Sequence, residues 1–490
     1  MATFTITSLG CKVNQYDGAA ISAVLEAEGL SPAHGAEQER AAKLAVVNTC
    51  CVTAAAMRKS RQAIRRAVRR SPDAVVLVTG CYSDFDAAGV RAVVEGLNVP
   101  SDRAFVAGHH GDVRAAVAHA GQAARGSRSG RADAERDEEW MRPNALARPA
   151  APDGLSDSIR TRRQAAVKAD CSGTRTLPAI RHFAGHCRAF VKVQDGCDAF
   201  CTYCIVPYTR CRVWSRALDA VLSECRALVA AGHKELVLAG VFLGAYGRNT
   251  AVRKRWPDEP AKLPELIRRV AAIDGLFRLR LSSLEPGDLS DELLGVCRDT
   301  PNFAPHFHLP LQSGSPAVLR RMNRQYTVEQ YERTIARLRD AFDRPAVSTD
   351  ILVGFPGESE ADFGATLAVA RGAGFTKIHA FPFSAMPGTA AWQFRHEAPP
   401  TAVIRERMVR LAALERDLSR AFRRSLVGEG VDALVEASPK RGEGRAMTGR
   451  YQTAFFRDGA AEPRDIIRLL VTGVRDDGLV ARPAANADPA

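Results

Sequence analysis

The sequence has 490 residues, 46% hydrophobic and 25% charged, with a net charge of +13. This length exceeds what one hydrophobic core supports and predicts two to four domains. No stretch approaches the roughly 18–20 uncharged apolar residues of a membrane span, and the first residues lack the pattern of a secretory signal. We therefore expect a cytoplasmic protein without a membrane contact, and the positive charge suggests a polyanionic partner.

Residues 1–120 alternate strand-like and helix-like segments. The strands are predicted at Thr3–Leu9, Leu44–Asn48 and Val75–Thr79, with helices such as Gly18–Glu28 between them. Alternation of this kind is typical of a parallel, doubly wound sheet.

Basic residues are concentrated between the second and third of these strands. Seven of the 13 residues from Arg58 to Arg70 are basic, and apolar residues interleave at helical spacing. The pattern predicts an amphipathic helix with a strongly positive outer face. A nucleic-acid surface and an ordinary solvated helix face are both compatible with it.

The remainder of the chain divides by composition. Residues 121–182 lack apolar periodicity and predict a flexible linker. Residues 183–425 predict a full or partial (β/α) barrel, with strands at Phe190–Val193, Glu235–Ala239, Arg278–Ser282, His306–Leu309, Ser348–Val353 and Lys377–Phe383. Residues 426–484 read as short strands separated by Gly and Asp-Gly turns, which predict a small β-barrel.

Three cysteines of the first domain, Cys11, Cys50 and Cys81, each follow a predicted strand. The carboxyl ends of parallel strands share one edge of the sheet, where ligands normally bind. Clustered cysteines in a reducing compartment more often bind metal than form disulfides. A shared ligand is therefore the preferred interpretation, and three buried, inert thiols are the alternative.

A second set of cysteines, Cys197, Cys201 and Cys204, forms a CxxxCxxC loop after a predicted strand. Three closely spaced thiolates suit an iron–sulfur cubane with one iron left open. Zinc is the alternative, because Cys211 or His186 is available as a fourth ligand. The two CxxC-type pairs usual for structural zinc are not found, which favours the cluster.

Longer motifs surround these cysteines. They are LGCKVNQYD, NTCCVT and TGCYS in the first domain and QDGCDAFCTYCIVPYTR, LSSLEP, HLPLQSGS, TDILVGFPGE and FPFSAMPGT in the barrel. Together they resemble the radical S-adenosylmethionine methylthiotransferases over most of the chain except the linker. The resemblance implies a methylthiotransferase N-terminal domain at 1–120, a radical S-adenosylmethionine domain at 183–425 and a TRAM-like RNA-binding domain at 426–484.

The resemblance also implies cofactors and roles. Cys197, Cys201 and Cys204 are expected to be catalytic by holding a 4Fe–4S cluster that binds S-adenosyl-L-methionine, and Cys11, Cys50 and Cys81 to hold a second 4Fe–4S cluster. Cofactor contacts are expected near strand ends, at Ala239, Gly240, Ser282, Glu285, Gln312 and Asp350. An electron donor such as flavodoxin or ferredoxin is expected as a partner.

The motif GCKVNQYD is similar to the branch that modifies N6-threonylcarbamoyladenosine beside the tRNA anticodon, so the anticodon stem-loop is the expected substrate. Isopentenyladenosine in tRNA, a ribosomal-protein aspartate and a non-enzymatic, zinc-stabilised RNA-binding protein are the alternatives. Cys51 adjoins Cys50 where the family usually has another residue, and the motif position favours Cys50 as the ligand.

Overall fold

The computed structural model describes residues 2–108, 112–126, 177–436, 442–457 and 461–484. Two compact units are present. The first comprises the described parts of 1–181 together with 195–213 and 384–392, and the second comprises 182–194, 214–383 and the rest from 393. Most of the predicted linker lies outside the described residues. Among the described residues, no helix is both long and apolar enough to cross a bilayer.

A five-stranded, wholly parallel sheet forms the centre of the first unit, in the order β2-β1-β3-β4-β5. Its strands are β1 (Thr3–Ser8), β2 (Ser31–Pro32), β3 (Leu44–Thr49), β4 (Val75–Gly80) and β5 (Ala104–Val106). Every residue of β3 and β4 is buried, because these continuous apolar strands lie in the middle of the sheet with helices on both faces. The predicted doubly wound parallel sheet is confirmed.

Helices connect these strands and cover both faces of the sheet. They are α1 (Lys12–Ala27), α2 (Ala36–Arg40), α3 (Ala54–Arg70), α4 (Cys81–Phe85), α5 (Ala87–Glu95) and α6 (Val113–Ala124). On one face Phe4 of β1 packs in a cluster with Leu25 of α1 and Val117 of α6, and on the other Val47 of β3 packs in a cluster with Ile64 of α3. The Thr53 hydroxyl caps α3 by accepting a hydrogen bond from the Ala56 amide at 3.0 Å.

Six parallel strands form the partial barrel of the second unit. Two three-stranded sheets, β6-β7-β8 and β9-β10-β11, are joined by the bridges Leu279–Phe303 and Ser283–His308. The strands are β6 (Arg188–Lys192), β7 (Glu235–Ala239), β8 (Arg278–Leu281), β9 (His306–His308), β10 (Ala346–Val353) and β11 (Lys377–Pro382). The predicted partial barrel is therefore confirmed.

Amphipathic helices alternate with these strands, as expected for βα units. They are α7 (Leu218–Ala230), α8 (Leu263–Ala271), α9 (Asp291–Asp299), α10 (Pro316–Arg321), α11 (Val328–Ala341), α12 (Glu360–Ala373) and α13 (Thr401–Arg424). Two single-turn helices occur at Val206–Thr209 and Ala390–Gln393. Capping boxes at Thr327 and Ser359 start α11 and α12 by satisfying the amide groups of their first turns.

A small closed barrel ends the second unit, in the order β12-β13-β14-β16-β15. Its strands are β12 (Gly430–Val435), β13 (Gly444–Thr448), β14 (Thr453–Phe456), β15 (Ile466–Arg475) and β16 (Gly478–Pro483). Alternating apolar residues such as Ala433, Phe456 and Leu469 fill its interior. The predicted C-terminal β-barrel is therefore confirmed.

A buried charge cluster joins this barrel to the amino-terminal ends of β7 and β8. Glu235 accepts hydrogen bonds from Arg278 and Arg280, each at 3.0 Å. Arg280 also donates to the Gly449 carbonyl at 3.0 Å, and Arg278 donates to the Asp432 carbonyl at 2.8 Å. The C-terminal barrel therefore packs at the end of the parallel strands opposite to their carboxyl ends.

Two details differ from the sequence-based expectations. The helix expected over Gly18–Glu28 begins at Lys12, because the extended Cys11 ends the preceding turn and the helix starts immediately after it. The segment 195–213, expected to belong to a domain spanning 183–425, groups by its contacts with the first unit. The four-domain division of the chain stays a prediction.

Candidate functional site

Three cysteines of the first unit occupy the carboxyl edge of its sheet. Cys11 is the residue before α1, Cys50 directly follows β3, and Cys81 is the first residue of α4. Parallel strands bring these positions to one edge although they are tens of residues apart in the sequence.

Two glycines allow the backbone to turn closely around these cysteines. Gly10 has a φ of +91° and Gly80 a φ of +95°, which side chains other than glycine rarely adopt. A Cβ atom at Gly10 would lie 2.8 Å from the Cys50 sulfur, and one at Gly80 would lie 2.4 Å from the Thr49 carbonyl oxygen. Both positions therefore require glycine for the edge to form.

The three edge thiols differ in exposure but act on one another electrostatically. Cys11 is exposed, whereas Cys50 and Cys81 are 5% and 7% exposed. Burial raises the pKa of the Cys81 thiol to about 12, with Arg210 opposing and Cys11 adding to the shift. Burial, reinforced by Cys11, likewise raises the pKa of Cys50. Metal binding would deprotonate such thiols and offset the cost of burying them.

Cys51, the neighbour of Cys50, has a different environment. Its side chain is fully buried in the apolar cluster that contains Val47 and Ile64, and its thiol donates to the Cys81 carbonyl at 3.2 Å. Cys50 instead lies against Gly10, and its amide and carbonyl both bond the Ser60 hydroxyl of α3. Cys50 thus faces the edge and Cys51 the core, as alternation along an extended chain requires.

The second cysteine set lies on the loop that follows Gly196, also in the first unit. Gly196 has a φ of +79°, and a Cβ atom there would lie 1.8 Å from the Arg212 carbonyl oxygen. Cys197, Cys201 and Cys204 are each partly exposed. The Ala199 amide donates to the Cys197 sulfur at 3.5 Å, the type of contact that stabilises a thiolate.

Both donor sets consist of cysteine thiols, the usual ligands of iron–sulfur clusters. Within the described residues, no three or more histidine, cysteine, aspartate or glutamate side chains converge closely enough to hold one metal ion. One zinc ion would draw its sulfurs to within about 2.3 Å of a common point. A cubane cluster binds each thiolate through a different iron, which allows wider spacing. Both cysteine sets are therefore chemically suited to a cluster, and zinc remains the alternative.

Arg210 connects the two cysteine sets, and sequence reasoning missed it. Its side chain is 4% exposed and donates from Nη1 to both carboxylate oxygens of Asp195, at 2.9 and 2.8 Å. Nη2 donates to Asp17 of α1 at 2.7 Å, and Nε donates to the Cys81 sulfur at 3.4 Å. Burial alone would lower the pKa of Arg210, but Asp195, Cys81 and Asp17 raise it well above its usual value.

In the second unit, two of the expected cofactor contacts meet at the carboxyl ends of β7 and β8. The Gly240 amide lies 3.4 Å from the Ser282 hydroxyl, and Ala239 is buried at the end of β7. A Cβ atom at Gly240 would lie 3.0 Å from the Gln194 side-chain oxygen and from the Leu243 backbone. Close packing by Gln194 and Leu243 therefore favours glycine at this position, and cofactor binding there stays a prediction.

The other expected contacts have protein partners. Glu285 pairs with Arg324 and lies 3.6 Å from Arg253. Gln312 has a φ of +60°, and its backbone N–H donates to the Asp350 backbone carbonyl at 2.8 Å.

His308 also lies beside Asp350. Its Nε2 is 3.3 Å from the Asp350 carboxylate, and its Nδ1 is 3.0 Å from the Ser348 hydroxyl. His306 contacts the same hydroxyl at 3.0 Å, so both histidines face one side of β9 as their alternation predicts. The structure therefore pairs Gly240 with Ser282 and Gln312 with Asp350, and gives Glu285 a separate ionic environment.

Comparison with known proteins identifies the family. Residues 191–370 match the family described as the Radical SAM superfamily, and residues 3–97 match the family described as Uncharacterized protein family UPF0004. The chain is also similar to the radical S-adenosylmethionine methyltransferase TsrM from Kitasatospora setae, with a TM-score of 0.50 and 16% identity over 80% of this chain and 77% of that one. This likeness supports the fold.

Curated relatives match almost the whole chain. Threonylcarbamoyladenosine tRNA methylthiotransferase MtaB of Chlamydia pneumoniae is 31% identical over 98% of this chain and 97% of its own length. MtaB of Bacillus subtilis (strain 168) is 32% identical over 96% of this chain and 93% of its own. The tRNA-2-methylthio-N(6)-dimethylallyladenosine synthase of Sphingopyxis alaskensis is 33% identical over 98% and 97%. The chain therefore belongs to the radical S-adenosylmethionine methylthiotransferase family, whose members are transferases of sulfur-containing groups.

Proposed function

We propose that this enzyme converts N6-threonylcarbamoyladenosine, next to the anticodon of tRNA, to its 2-methylthio derivative in the cytoplasm. It would use two 4Fe–4S clusters and S-adenosyl-L-methionine. When bound, these groups supply the radical that activates the adenine carbon and the sulfur and methyl group that replace its hydrogen.

The observation that carries this proposal is the placement of both cysteine sets in one compact unit. Three thiols occur at the carboxyl edge of the parallel sheet, and three occur on the loop of 195–213. A single cluster would explain one set only. Two sets in one unit suit an enzyme in which one site generates the radical and the other delivers sulfur.

Each cysteine set has a distinct role in the proposal. Cys197, Cys201 and Cys204 would hold the catalytic cluster and would leave one iron for the cofactor. Cys11, Cys50 and Cys81 would hold the second cluster, whereas the Cys51 side chain packs in the apolar core. The burial of Cys50 and Cys81 would exclude water from the second cluster.

Backbone at strand ends would hold S-adenosyl-L-methionine. Ala239 and Gly240 would let the cofactor approach the chain, and Ser282 offers a hydroxyl beside the Gly240 amide. Gln312 and Asp350 would contribute polar groups at the ends of later strands. Glu285 is the weakest member of this set, because its carboxylate is already paired with arginine.

Three observations support tRNA as the substrate. The net charge is +13, α3 carries seven basic residues without an acidic one, and the relatives named above carry tRNA in their names. The C-terminal β-barrel would add a TRAM-like RNA-binding surface. The anticodon stem-loop is the proposed contact region, and flavodoxin or ferredoxin the proposed electron donor.

The modified base is the finer part of the proposal. Relatives named for threonylcarbamoyladenosine and for dimethylallyladenosine are similarly identical to this chain, at 31–33%. The motif GCKVNQYD around Cys11 favours the threonylcarbamoyl base.

A direct assay separates the candidates. The anaerobically reconstituted enzyme would receive S-adenosyl-L-methionine, a reductant and sulfide with one of two anticodon stem-loops, bearing either threonylcarbamoyladenosine or isopentenyladenosine. Mass spectrometry of the digested nucleosides should show a 2-methylthio product from the first stem-loop only. A product from the second alone would assign the isopentenyl branch. Absence of a 2-methylthio product from both stem-loops would overturn the tRNA assignment.

A further inference from the structure

We propose that Arg210 is a positioning residue that sets the reduction potential of the second cluster through its hydrogen bond to Cys81. The same guanidinium ties that cluster's site to the Cys197–Cys204 loop. This inference rests on the proposed function, because it requires that Cys11, Cys50 and Cys81 hold a cluster.

The contacts of Arg210 cover three separate segments of the first unit. Nη1 donates to both carboxylate oxygens of Asp195, two residues before Cys197, at 2.9 and 2.8 Å. Nη2 bonds Asp17 at 2.7 Å and contacts the Asn14 side-chain oxygen at 3.4 Å, both on the helix that follows Cys11. Nε completes the set at the Cys81 sulfur. Each nitrogen of one rigid, planar group thus has a different task.

A purely structural role would not require the Nε contact. Two carboxylates already hold the guanidinium from the Nη side, and together they outweigh its single positive charge. The remaining N–H points at the sulfur of a proposed ligand. Hydrogen bonds to ligating sulfurs and nearby charge are among the factors that set the potential of an iron–sulfur cluster. Donation from a cation stabilises the more negative, reduced state and therefore raises the potential.

Lysine is the informative substitution at this position. Arg210→Lys keeps the positive charge beside Asp17 and Asp195, so those buried carboxylates are not left uncompensated. A single ammonium nitrogen cannot replace three separate donor nitrogens that reach Asp195, Asp17 and the Cys81 sulfur together. The variant therefore separates the charge of Arg210 from its hydrogen bond to sulfur.

The measurement uses the full-length chain carrying Cys197→Ala, Cys201→Ala and Cys204→Ala, so that one cluster remains. This parent and its Arg210→Lys derivative would be reconstituted anaerobically, and their potentials measured by EPR-monitored titration. We expect about four irons per chain in both proteins and a lower potential in the derivative. An unchanged potential with unchanged iron would overturn the inference, and so would a raised potential.

A second measurement needs no substitution at Arg210. The parent would be labelled with arginine carrying ¹⁵N at Nε, and the reduced cluster examined by pulsed EPR. We expect a hyperfine coupling from one arginine nitrogen, and its absence would overturn the inference even if Arg210→Lys failed to fold. Absence of any cluster in the parent would count against the proposed function itself, which distinguishes the two failures.

Discussion

At the scale of single residues, the neighbours Cys50 and Cys51 show how one step along the chain changes a side chain's role. The two thiols belong to opposite sides of an extended segment, one against Gly10 at the sheet edge and one in the apolar core. The motif position favours Cys50 as the ligand, but the sequence alone does not show that the Cys51 side chain lies in the core, because both cysteines fall at the end of the same strand.

Substituting the two cysteines should therefore have different results. Cys50→Ala should lower the iron content of reconstituted protein, since it removes a proposed ligand of the second cluster. Cys51→Ala should leave iron unchanged and lower the free energy of unfolding by about 1 kcal/mol, the usual scale of a small core truncation. Iron analysis and anaerobic denaturation check both. Iron loss in the Cys51 variant alone would reverse the assignment.

His233 makes the stability of the second unit depend on pH. It is fully buried, its Nε2 accepts from the Phe183 amide at 3.2 Å, and its Nδ1 lies 3.4 Å from the Cys187 carbonyl. Burial, with a contribution from Arg464, lowers its pKa to about 4. The unfolded chain binds a proton below about pH 6.5, whereas the folded chain does not until about pH 4. The stabilising contribution of the neutral His233 is therefore fully present above about pH 6.5 and is lost as the pH falls from there toward about 4.

Between pH 7 and pH 5 this histidine should cost about 2 kcal/mol of stability. His233→Gln cannot take up the proton, so its unfolding free energy should fall by about that much less over the same interval. Urea denaturation of both proteins, followed by tryptophan fluorescence, measures the difference. Parallel losses in the two proteins would show that other groups cause the pH dependence.

At the scale of elements, α3 differs from the other long helices in its unbalanced charge. Its exposed cations include Arg58, Arg65 and Arg69, which follow one face over about 16 Å. The helix begins four residues after Cys50, and the Ser60 hydroxyl bonds the Cys50 backbone. By contrast, Arg407 and Arg410 of α13 are paired with glutamates.

We expect these three arginines of α3 to contact RNA phosphates. Arg58→Gln/Arg65→Gln/Arg69→Gln should weaken stem-loop binding and reduce the slope of log K against log salt by about 2, at about 0.7 per lost contact. Filter binding at several salt concentrations measures both the stem-loop affinity and its salt dependence. The control is Arg226→Gln/Arg333→Gln/Arg371→Gln, with the same charge change on exposed positions of three barrel helices. Equal effects in both variants would indicate only a nonspecific charge effect.

Glu235 is the acidic centre of the contact between the two barrels of the second unit. Glu235→Gln leaves Arg278 and Arg280 buried without their counter-ion, which should cost about 3–5 kcal/mol of stability. Glu265→Gln is the matched control, because its carboxylate is 49% exposed and pairs with surface arginines; its cost should stay within about 0.5 kcal/mol. Denaturation curves compare the two, and similar small losses would contradict the buried-cluster argument.

Local pattern predicted the strands and their cysteine-bearing ends well. The apolar strands β3 and β4 are recognisable from their sequence pattern, whereas the strands Ser31–Pro32 and Ala104–Val106 are too short to give a recognisable pattern. Arg210 is the last residue of the motif QDGCDAFCTYCIVPYTR, but the local sequence does not indicate that its partners include Asp17, 193 residues away. The packing of the C-terminal barrel against Glu235 was equally inaccessible, because tertiary contacts between distant segments leave no periodic trace.

At the scale of the whole molecule, the grouping of both cysteine sets in the first unit raises the question of whether the sets act separately. Their ligands come from different segments, so the loss of one set should leave the other able to bind iron. Their proposed tasks also differ, because only the set with Cys197, Cys201 and Cys204 is expected to engage S-adenosyl-L-methionine. Loss of either cysteine set should therefore change cofactor cleavage and methylthio-product formation differently, although each loss removes the same amount of iron.

Two triple variants test this separation. Cys11→Ala/Cys50→Ala/Cys81→Ala should retain about four of about eight irons, still cleave S-adenosyl-L-methionine to 5′-deoxyadenosine, and form no methylthio product. Cys197→Ala/Cys201→Ala/Cys204→Ala should also retain about four irons but lose cleavage and product together. Iron and sulfide analysis with chromatography of the cleavage product gives both readouts. Only about four irons in the wild-type protein, or cleavage of S-adenosyl-L-methionine by the second variant, would contradict the proposal that two clusters have separate roles.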